Sequence, residues 1–395
     1  MRIGMFAWES LYSIKVGGIA PHVSEISESL AKEGHEIHVF TRRGDFKSYD
    51  CINEVNYQRV DYDSSGDIIH QMDSMCDALY DSFLMAQDTF GKFDILHGHD
   101  WHPIRALIRL KRDFGIPYIL TIHSTERGRS GSYKEIIRRE RQGMNEASRV
   151  IVTSKHLMKE VMSAYSIPAP KIALVPNGIT RGKIKRGVDS SRLKERYNIR
   201  RSSRIVLFCG RMAHQKGPDL LVEAVPRVLR KFGDVVFIFV GDGGLRKKCK
   251  DRASELGVAK NCRFLGYISE PEKEALLNAC DLVCVPSRNE PFGLIVLEAW
   301  DASKPIVATE AVSIIKNFQD GLLAYIQPES LAWCINRLLG NPKVMKDLAK
   351  AGNKRIEKEF NWSTIAKNTE AVYYAVHKFA VHANSEFDID LLAHS

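Results

Sequence analysis

The chain has 395 residues, of which 44% are hydrophobic and 27% charged, and its formal net charge is +9. This composition is typical of a soluble globular protein, and the length favours two domains over one. No apolar run approaches the roughly 18 residues of a membrane-spanning helix. The first ten residues read as a strand without the apolar core of a signal peptide, so we expect a cytoplasmic protein. The eight cysteines form no CxxC pair, which favours reduced thiols over a zinc or disulfide framework.

Most of the positive charge lies in one segment, 181–204, which holds ten Lys or Arg against two acidic residues. Such a segment is most often a solvated loop, so we interpret it as a basic linker. It also leaves a peripheral contact with an anionic membrane open. The segment lacks the interleaved aromatic residues of single-stranded nucleic-acid binding, and no nucleic-acid partner is expected.

The first elements form a βαβ pattern. A strand at 2–6 is followed by a loop with Lys15, Gly17 and Gly18, an amphipathic helix that ends at Gly34, and a second strand. The paired glycines would let the backbone approach a phosphate, and Lys15 adds a positive charge. This spacing differs from a G-x-G-x-x-G dinucleotide fingerprint, which argues against a dehydrogenase.

Two later strands run into histidines. After a helix expected over 71–90, a strand at 93–96 leads into HGHDW at 97–101, and a strand at 118–122 leads into His123. Polar side chains at the carboxyl ends of parallel strands indicate a binding site. The histidines could instead bind a metal, but no third ligand with zinc-like spacing follows, so no metal is expected. The last strands of this half are expected at 149–153 and 172–175.

A second α/β pattern begins after the basic segment. A strand at 203–210 leads into Arg211, and Lys216 follows before a helix that starts near 218. Two cations beside a helix N-terminus have the chemistry that binds a diphosphate. Further strands are expected within 235–244, 261–267, 280–286, 304–309 and 321–326, and further helices over 329–339, 342–360 and 363–383.

The stretch SRNEPFGLIVLEA at 287–299 places two carboxylates, Glu290 and Glu298, across a strand–turn–helix transition. The start of the helix, expected near Phe292, exposes unpaired N–H groups that suit phosphate. Glu298 would then lie about two turns into the helix. Two carboxylates that reach opposite ends of one anionic ligand suggest a nucleotide sugar. The alternative is an ordinary turn glutamate and a solvated helix glutamate.

Taken together, these motifs resemble the retaining glycosyltransferases of the GT-B fold, glycosyltransferase family 4, with features shared by glycogen and starch synthases. The matching motifs are KVGG at 15–18, HGHDW at 97–101, TIH at 121–123, VPNGI at 175–179, GRMAHQKG at 210–217, VGDG at 240–243 and EPFGLIVLEA at 290–299. The resemblance implies an α/β protein with two Rossmann-like parallel-sheet domains that face across a cleft. The implied parts are an acceptor-side domain at 1–176, a basic hinge at 177–204 and a donor-binding domain at 205–361. A helix at 362–383 would cross back to the first domain, and a tail would follow at 384–395.

The resemblance also implies the reaction, which is metal-independent transfer of a hexose, glucose above all, from an NDP-sugar to an α-glucan. ADP-glucose, UDP-glucose or another NDP-sugar would be the donor substrate, with no separate cofactor. By motif position the catalytic residues would be His99, Arg211, Lys216 and Glu290. The donor would be bound by Lys15, Gly17, Gly18, Asn177, Arg211, Lys216, Phe292, Gly293, Leu294 and Glu298. In this scheme Glu298 holds the ribose, Glu290 holds the transferred sugar, and His99 faces that sugar.

One region departs from the family pattern. Where the family has a Gly-Gly pair followed by an acidic residue, this chain has ATEAVSIIKNF, and Thr180 stands where Asp often follows NGI. Donor and acceptor preference therefore stay open. Within the fold, the acceptor could be a lipid, a phosphosugar or a polyol. A non-catalytic sugar-nucleotide-binding protein also fits the motifs. An epimerase shares the two-domain outline but lacks the combined R-x4-K and E-x7-E pattern.

Overall fold

The structure, a computed structural model, describes residues 1–129, 131–182, 184 and 190–392. The chain divides into two compact units. The first comprises Met1–Gly178 with the C-terminal segment from Trp362, and the second comprises Ile179–Asn361. Residues 183 and 185–189 of the basic segment lie outside the described residues, so the membrane contact expected for 181–204 stays a prediction. Among the described helices, none is both long and apolar enough to span a bilayer.

The first unit alternates strands with helices. Its elements before the second unit are β1 Arg2–Phe6, α1 Ile19–Lys32, β2 Glu36–Arg42, β3 Tyr49–Ile52, β4 Val55–Val60, α2 Ile68–Phe90, β5 Ile95–His99, α3 Ile104–Phe114, β6 Tyr118–Ile122, α4 Lys134–Glu146, β7 Arg149–Val152, α5 Lys155–Tyr165 and β8 Ile172–Leu174. The strand order is β3-β4-β2-β1-β5-β6-β7-β8, and every neighbouring pair is parallel except β3 with β4.

The second unit repeats this architecture with six strands. Its elements are α6 Ser190–Arg196, β9 Arg204–Cys209, α7 Pro218–Leu229, β10 Val235–Val240, α8 Arg246–Glu255, β11 Cys262–Gly266, α9 Glu270–Ala279, β12 Leu282–Val285, α10 Leu294–Asp301, β13 Ile306–Thr309, β14 Leu322–Ala324, α11 Pro328–Leu339 and α12 Pro342–Glu359. The strand order is β11-β10-β9-β12-β13-β14, and all pairs are parallel. The fold class predicted from the sequence, α/β with two parallel sheets, is confirmed.

The last helix, α13 Trp362–Leu392, belongs to the first unit. Its residues Trp362, Ile365, Ala366 and Tyr373 are buried in one apolar cluster with side chains of β1, β2 and α1. Burial of this face holds the helix on the sheet, because apolar area removed from water stabilises the packed state. The helix continues past 383, where the sequence pattern placed its end, to Leu392.

Two expectations about strands were incomplete. The region 45–67, which lacks clear periodicity, contains the hairpin of β3 and β4, joined by a turn in which Asn53 and Glu54 adopt positive φ. The strand expected at 93–96 is β5, Ile95–His99, so His97 and His99 lie in the strand and not after it. Parallel pairing with β6, with His97 opposite Ile119 and His99 opposite Thr121, extends the strand through these polar residues. A neighbouring strand thus outweighs the local composition.

Candidate active site

The loops with the predicted site residues follow strands at which each sheet changes direction. In the first unit the chain moves outward from β1 through β2 on one side and through β5 on the other, and in the second unit from β9 through β10 and through β12. In open parallel sheets, ligands bind outside the carboxyl ends of the two strands at this switch point. The loops after β1 and β5, and those after β9 and β12, are therefore the candidate site regions of the two units.

In the second unit, the loops after β9 and β12 pack directly against one another. Gly217 adopts φ +63°, and a Cβ at this position would lie 2.0 Å from the Pro286 carbonyl oxygen. Gly241, after β10, is equally tight, since a Cβ there would lie 2.0 Å from the Gly210 oxygen. The glycines of the G-R-x4-K-G and VGDG motifs thus allow close backbone contact between neighbouring loops, which fixes the side chains they carry.

Lys216 and Glu290 form the centre of this region. The Lys216 ammonium donates to both carboxylate oxygens of Glu290, each at 2.8 Å. The Ser287 hydroxyl donates to Oε2 of the same carboxylate at 2.9 Å. Glu290 is only 4% exposed, so its charge is buried together with a cation and a hydroxyl donor that hold it in place. The structure brings together two residues that the sequence placed 74 positions apart.

Arg211 lies at the exposed edge of the same loop. Its guanidinium donates to the Gln215 side-chain oxygen at 3.1 Å. The backbone oxygen of Gln215 in turn accepts from the Arg288 amide at 2.8 Å. Arg288 also forms a bidentate pair with Asp219, at 2.8 and 2.6 Å. Gln215, Arg288 and Asp219, which the motif pattern did not single out, thus tie the Arg211 and Lys216 loop to the loop that carries Glu290.

Helix α10, which the sequence predicts to begin near Phe292, begins at Leu294. Gly293 precedes it with φ +95°, a conformation that favours glycine, and Phe292 is buried. The Leu294 amide therefore belongs to the first turn, where N–H groups lack helical partners. Glu298 follows about one turn into the helix instead of the two expected.

Glu298 has a cationic partner that the sequence did not reveal. Lys273 of α9 donates to Glu298 Oε1 at 3.0 Å and pairs with Glu270 at 2.8 Å. Burial alone would lower the pKa of Lys273, but the two carboxylates outweigh it and raise that pKa. Burial, with a smaller contribution from Glu298, raises the pKa of Cys209 at the end of β9 to about 12.

The region that lacks the Gly-Gly pair forms a tight apolar turn. The Val312 amide donates to the Thr309 oxygen at 3.0 Å, and Val312, Ile314 and Ile315 are buried in the cluster beneath α10. Thr309 Oγ1 donates to the Ser287 backbone oxygen, which fixes the turn to the Glu290 loop. Side chains thus fill space that a glycine pair would leave open.

In the first unit, the loop with Lys15, Gly17 and Gly18 lies after β1 and is exposed. The amides of Val16 and Gly17 both donate to Oε2 of Glu9, the latter at 2.7 Å, and Glu9 is only 3% exposed. A buried carboxylate therefore accepts from the amide of Gly17, one of the two glycines expected to approach a phosphate. Gly18 is the residue that caps α1. Glu9 shapes this loop, and no sequence motif pointed to it.

His99 belongs to a cluster of imidazole rings that forms where β5, β6 and α1 meet. Its Nδ1 lies 3.2 Å from Nε2 of His123, and its ring stacks on His97 at 4.5 Å between centroids. His22 of α1 packs edge-on against both His99 and His123, at 5.3 and 4.5 Å. The sequence singled out His99 and His123 but gave no signal for His22, which lies inside a helix.

These histidines are neutral because they are buried. Burial lowers the pKa of His97 and His123 to about 3, and it lowers the pKa of His22 and His99 well below the ordinary value. Asn177, which the motifs place at the hinge, lies near His22 and opposes this lowering of its pKa. This edge of the first unit therefore presents uncharged imidazoles.

Asp100 joins the two strands that carry the histidines. It adopts φ +56°, its amide donates to the Thr121 oxygen at 2.8 Å, and its Oδ1 accepts from the His123 amide at 2.7 Å. Burial raises the pKa of Asp100 to about 6. An L-residue held in this conformation costs of order 1 kcal/mol or more, which the surrounding contacts must offset. Asp100 therefore acts as a positioning residue for the histidine cluster.

The predicted residues thus fall into two groups that the structure assembles separately. His99 and Asn177 meet at the histidine cluster of the first unit, and the glycine loop lies at the carboxyl end of neighbouring β1. The residues Arg211, Lys216, Glu290, Phe292, Gly293, Leu294 and Glu298 all lie in the loops after β9 and β12 or in the helix that follows. Each group occupies a switch point.

This pair of Rossmann-like sheets, with its cationic switch-point loop and paired carboxylates, defines a GT-B glycosyltransferase. Residues 16–182 match the family described as Glycosyltransferase Family 4, and residues 189–355 match the family described as Glycosyl transferases group 1. An uncharacterised glycosyltransferase of Methanocaldococcus jannaschii is 32% identical over 94% of this chain and 98% of its own length. The chain therefore belongs to the glycosyltransferases of this family.

Other relatives have more specific names. A glycogen synthase of Mycobacterium tuberculosis is 27% identical over 95% of each chain, and a D-inositol 3-phosphate glycosyltransferase of Jonesia denitrificans is 24% identical over 90% of this chain and 91% of its own. Among solved structures, sucrose-phosphate synthase from Thermosynechococcus elongatus superposes with a TM-score of 0.79 at 21% identity. The match covers 95% of this chain and 98% of that structure's chain. The catalytic domain of starch synthase IV from Arabidopsis thaliana, bound to ADP and acarbose, superposes with a TM-score of 0.77 at 14% identity. The match covers 95% of this chain and 99% of that domain. These structures share the fold.

Proposed function

We propose that the chain transfers glucose from an NDP-glucose donor to an α-glucan, with retention of anomeric configuration and without a metal ion in catalysis. The observation that carries this proposal is the group formed by Arg211, Lys216 and Glu290 beside the N-terminus of α10. Two cations and a helix start suit a diphosphate, and a buried, oriented carboxylate suits sugar hydroxyls. The relative named glycogen synthase supports the choice of a glucan acceptor.

Donor binding would add a partner to Lys216. Within the described part of the chain, its ammonium bonds only to the two Glu290 oxygens. An ammonium has three N–H donors, so a diphosphate oxygen could join this pair without displacing it. Lys216 would then hold the leaving group and the carboxylate that orients the sugar at the same time.

The chemical step follows from the charges that develop. The bond between the anomeric carbon and the phosphate oxygen breaks, which leaves negative charge on the nucleoside diphosphate and oxocarbenium character on the sugar. Arg211, Lys216 and the N–H groups at Leu294 would stabilise that leaving group electrostatically. The acceptor hydroxyl forms its new bond on the face that the phosphate leaves, and its proton passes to the departing phosphate oxygen.

A second candidate acceptor is a phosphorylated polyol. The relatives named D-inositol 3-phosphate glycosyltransferase favour it, at 24–27% identity compared with 27% for the glycogen synthase. The difference matters experimentally because a glucan offers many neutral hydroxyls, whereas a polyol phosphate needs a cationic site of its own. A lipid acceptor rests on the basic segment alone, and most of the Lys and Arg between 181 and 189 lie outside the described residues.

The test is release of nucleoside diphosphate from ADP-glucose and UDP-glucose, in the presence of chelator, with glycogen, with inositol phosphate and with no acceptor. Acceptor-dependent release with glycogen supports the first proposal, and dependence on inositol phosphate supports the second. Binding of the donor without any release would indicate a non-catalytic protein. An epimerised sugar nucleotide would indicate an isomerase. Activity that requires added divalent metal would contradict the metal-independent mechanism.

A further inference from the structure

Three histidines of the first unit lie close enough to share one ion. His22, His99 and His123 each offer a ring nitrogen, and these atoms all lie within 4.8 Å of one another. They come from α1, the end of β5 and the residue after β6, so the fold assembles them from three segments. The sequence offered two of them and no third ligand with suitable spacing. The helix supplies the third.

Two of these rings have nitrogens that the protein leaves unsatisfied. His22 Nδ1 and His99 Nε2 are buried and have no hydrogen-bond partner among the described residues. Each ring gives one nitrogen to one ion, so an ion bound by His99 through Nδ1 would satisfy His22 Nδ1 and leave His99 Nε2 as it is. A buried polar atom without a partner costs about 1–3 kcal/mol, so such atoms in a functional region point to a ligand. Both side chains are more than nine-tenths buried.

The dimensions fit a tetrahedral ion. Zinc binds histidine nitrogens at about 2.0–2.1 Å, which sets neighbouring ligand nitrogens about 3.3 Å apart in a tetrahedral site. His99 Nδ1 and His123 Nε2 already lie 3.2 Å apart. The remaining nitrogen pairs need to close by at most about 1.5 Å to reach the same spacing, which a rotation of the His22 ring could provide.

The chemistry of the ligands selects the class of ion. Three neutral imidazoles without a carboxylate or thiolate suit Zn²⁺, Co²⁺, Ni²⁺ or Cu²⁺, whereas Mg²⁺ and Ca²⁺ prefer oxygen ligands. Deep burial lowers the pKa of these imidazoles and keeps them neutral, and only the neutral ring offers a lone pair. His97 cannot be a fourth ligand as it stands, because its two nitrogens bond to Tyr373 and Thr121, both at 2.7 Å.

The surrounding contacts resemble the outer layer of a metal site. Asn177 lies near enough to the His22 ring to affect its pKa, and Trp362 packs edge-on against that ring at 5.5 Å between centroids. His97 stacks on His99 and is itself held by two hydrogen bonds. Such partners orient the rings of metal-binding histidines.

We propose that His22, His99 and His123 bind one divalent transition-metal ion of the Zn²⁺ class, with a fourth position open to water. The proposed reaction needs no metal, so the ion would take no part in the chemical step. If the proposed function holds, an ion that engages His99 removes the imidazole expected to face the sugar, and Zn²⁺ should inhibit transfer. Metal binding itself does not depend on the proposed function.

The test is titration of the metal-free full chain with Co²⁺, followed by absorption, with Zn²⁺ then added as competitor. We expect one equivalent of Co²⁺ with the visible absorption of a tetrahedral site, displaced by one equivalent of Zn²⁺. His22→Ala and His123→Ala should each weaken Zn²⁺ binding at least about tenfold, since loss of an outer partner alone costs about 10–100-fold. Zn²⁺ should raise the melting temperature of the wild type and not of these variants.

Two matched controls separate this site from surface binding. His70 is exposed and pairs with Asp63, and Cys51 is an exposed thiol. His70→Ala and Cys51→Ser should bind Zn²⁺ as the wild type does. Should His22→Ala not fold, as its metal-free melting curve would reveal, His123→Gln provides the same test from a partly exposed position.

The proposal is overturned if the wild type shows no stoichiometric Co²⁺ absorption. It is equally overturned if His22→Ala and His123→Ala bind as the wild type does, or if Cys51→Ser abolishes binding. A chain that binds Zn²⁺ in this way but transfers no sugar would contradict the proposed function and leave the metal site standing. A chain that transfers sugar but does not bind Zn²⁺ would contradict the metal site and leave the proposed function standing.

Discussion

The two units share one strand order, but the side chains at their switch points differ in charge. From β4 to β7 in the first unit and from β11 to β14 in the second, the strands follow one doubly wound order with a switch point after the first strand. At the first switch point the side chains are buried, neutral histidines. At the second they are ion pairs, Lys216 with Glu290 and Lys273 with Glu298.

The difference shows that the fold sets the place of a site and the side chains set its chemistry. Loops after the switch-point strands must converge in both units because the strands are parallel. Whether an anion, a sugar or a soft metal ion binds there depends on whether those loops carry cations, hydroxyl partners or free imidazoles. Substitutions and changes of pH that act on one switch point should therefore leave the other largely unaffected.

The largest expected effect is acid destabilisation of the first unit. Burial lowers the pKa of six histidines there: His22, His38, His97, His99, His102 and His123. Below pH 6.5 the unfolded chain binds protons that the folded state does not, so stability falls as the pH falls. Asp100 and Glu140, whose pKa values burial raises to about 6 and about 7, act in the opposite direction.

The six histidines take up protons on unfolding and the two carboxylates release them, so the net uptake is at most four protons. The free energy of unfolding should therefore fall by at most about 5 kcal/mol per pH unit between pH 6 and 5. Calorimetry at pH 7, 6 and 5 measures the effect. The second unit, whose one histidine, His214, is exposed, is the internal control. Its transition should move much less than that of the first unit, and equal shifts of both would contradict the contrast.

Lys216→Ala tests the charged switch point directly. Loss of one electrostatic contact to a developing negative charge costs about 10²–10³ in kcat. Glu290 would also lose its cation, so donor affinity should fall too. Arg211→Ala should behave similarly, and Lys260→Ala, an exposed lysine of the same unit, is the matched control. Wild-type rates in both Lys216→Ala and Arg211→Ala would rule out the assignment.

Glu290 and Glu298 should differ in which kinetic constant they affect. Glu290→Ala should mainly lower kcat, because Glu290 is expected to orient the transferred sugar. Glu298→Ala should mainly weaken donor binding, because Glu298 is expected to hold the ribose. Loss of a hydrogen bond to a charged group costs about 1.5–3 kcal/mol, or roughly 10–100-fold. Steady-state kinetics with varied donor measures both. If the two variants change the same constant, the division of roles is wrong.

The smallest expected effect concerns Tyr373, which reaches from α13 to the histidine cluster. Tyr373→Phe removes the hydroxyl that bonds His97 and should cost about 1 kcal/mol of stability in the first unit. Tyr374→Phe, its exposed neighbour, should cost nothing measurable and controls for the substitution. Denaturant unfolding compares the two. Equal stability of both variants would show that the His97 contact contributes nothing.

The sheets and the grouping of the charged residues at one switch point could be predicted well, because both depend on local patterns. Apolar runs followed by glycine loops specify parallel strands, and R-x4-K and E-x7-E lie each within one strand–loop–helix segment. The Lys216–Glu290 contact then follows, since β9 and β12 are neighbours at the switch point. The ion pairs of Lys273 with Glu298 and of Arg288 with Asp219 were beyond reach, because a lysine or arginine carries no local signal of its distant partner.

The neutral site was predicted less completely for the same reason. His22 lies within an amphipathic helix, and nothing local distinguishes it from an ordinary helix residue. Glu9 likewise follows β1 without a motif, although its carboxylate shapes the glycine loop. Strands β3 and β4 were missed because they have only four and six residues, and the alternation of β4 breaks at Arg59. Contacts between distant segments decide these features.

The contrast between the two switch points is tested most sharply by the affinity for UDP and ADP of the wild type, Lys216→Ala and His99→Ala, measured by titration calorimetry. The charged switch point should bind the diphosphate, and the histidine cluster should face the sugar, which these ligands lack. We therefore predict that Lys216→Ala weakens diphosphate binding at least about tenfold, equivalent to about 1.4 kcal/mol, while His99→Ala retains it. Wild-type affinity in Lys216→Ala, or loss of affinity in His99→Ala alone, would contradict these roles.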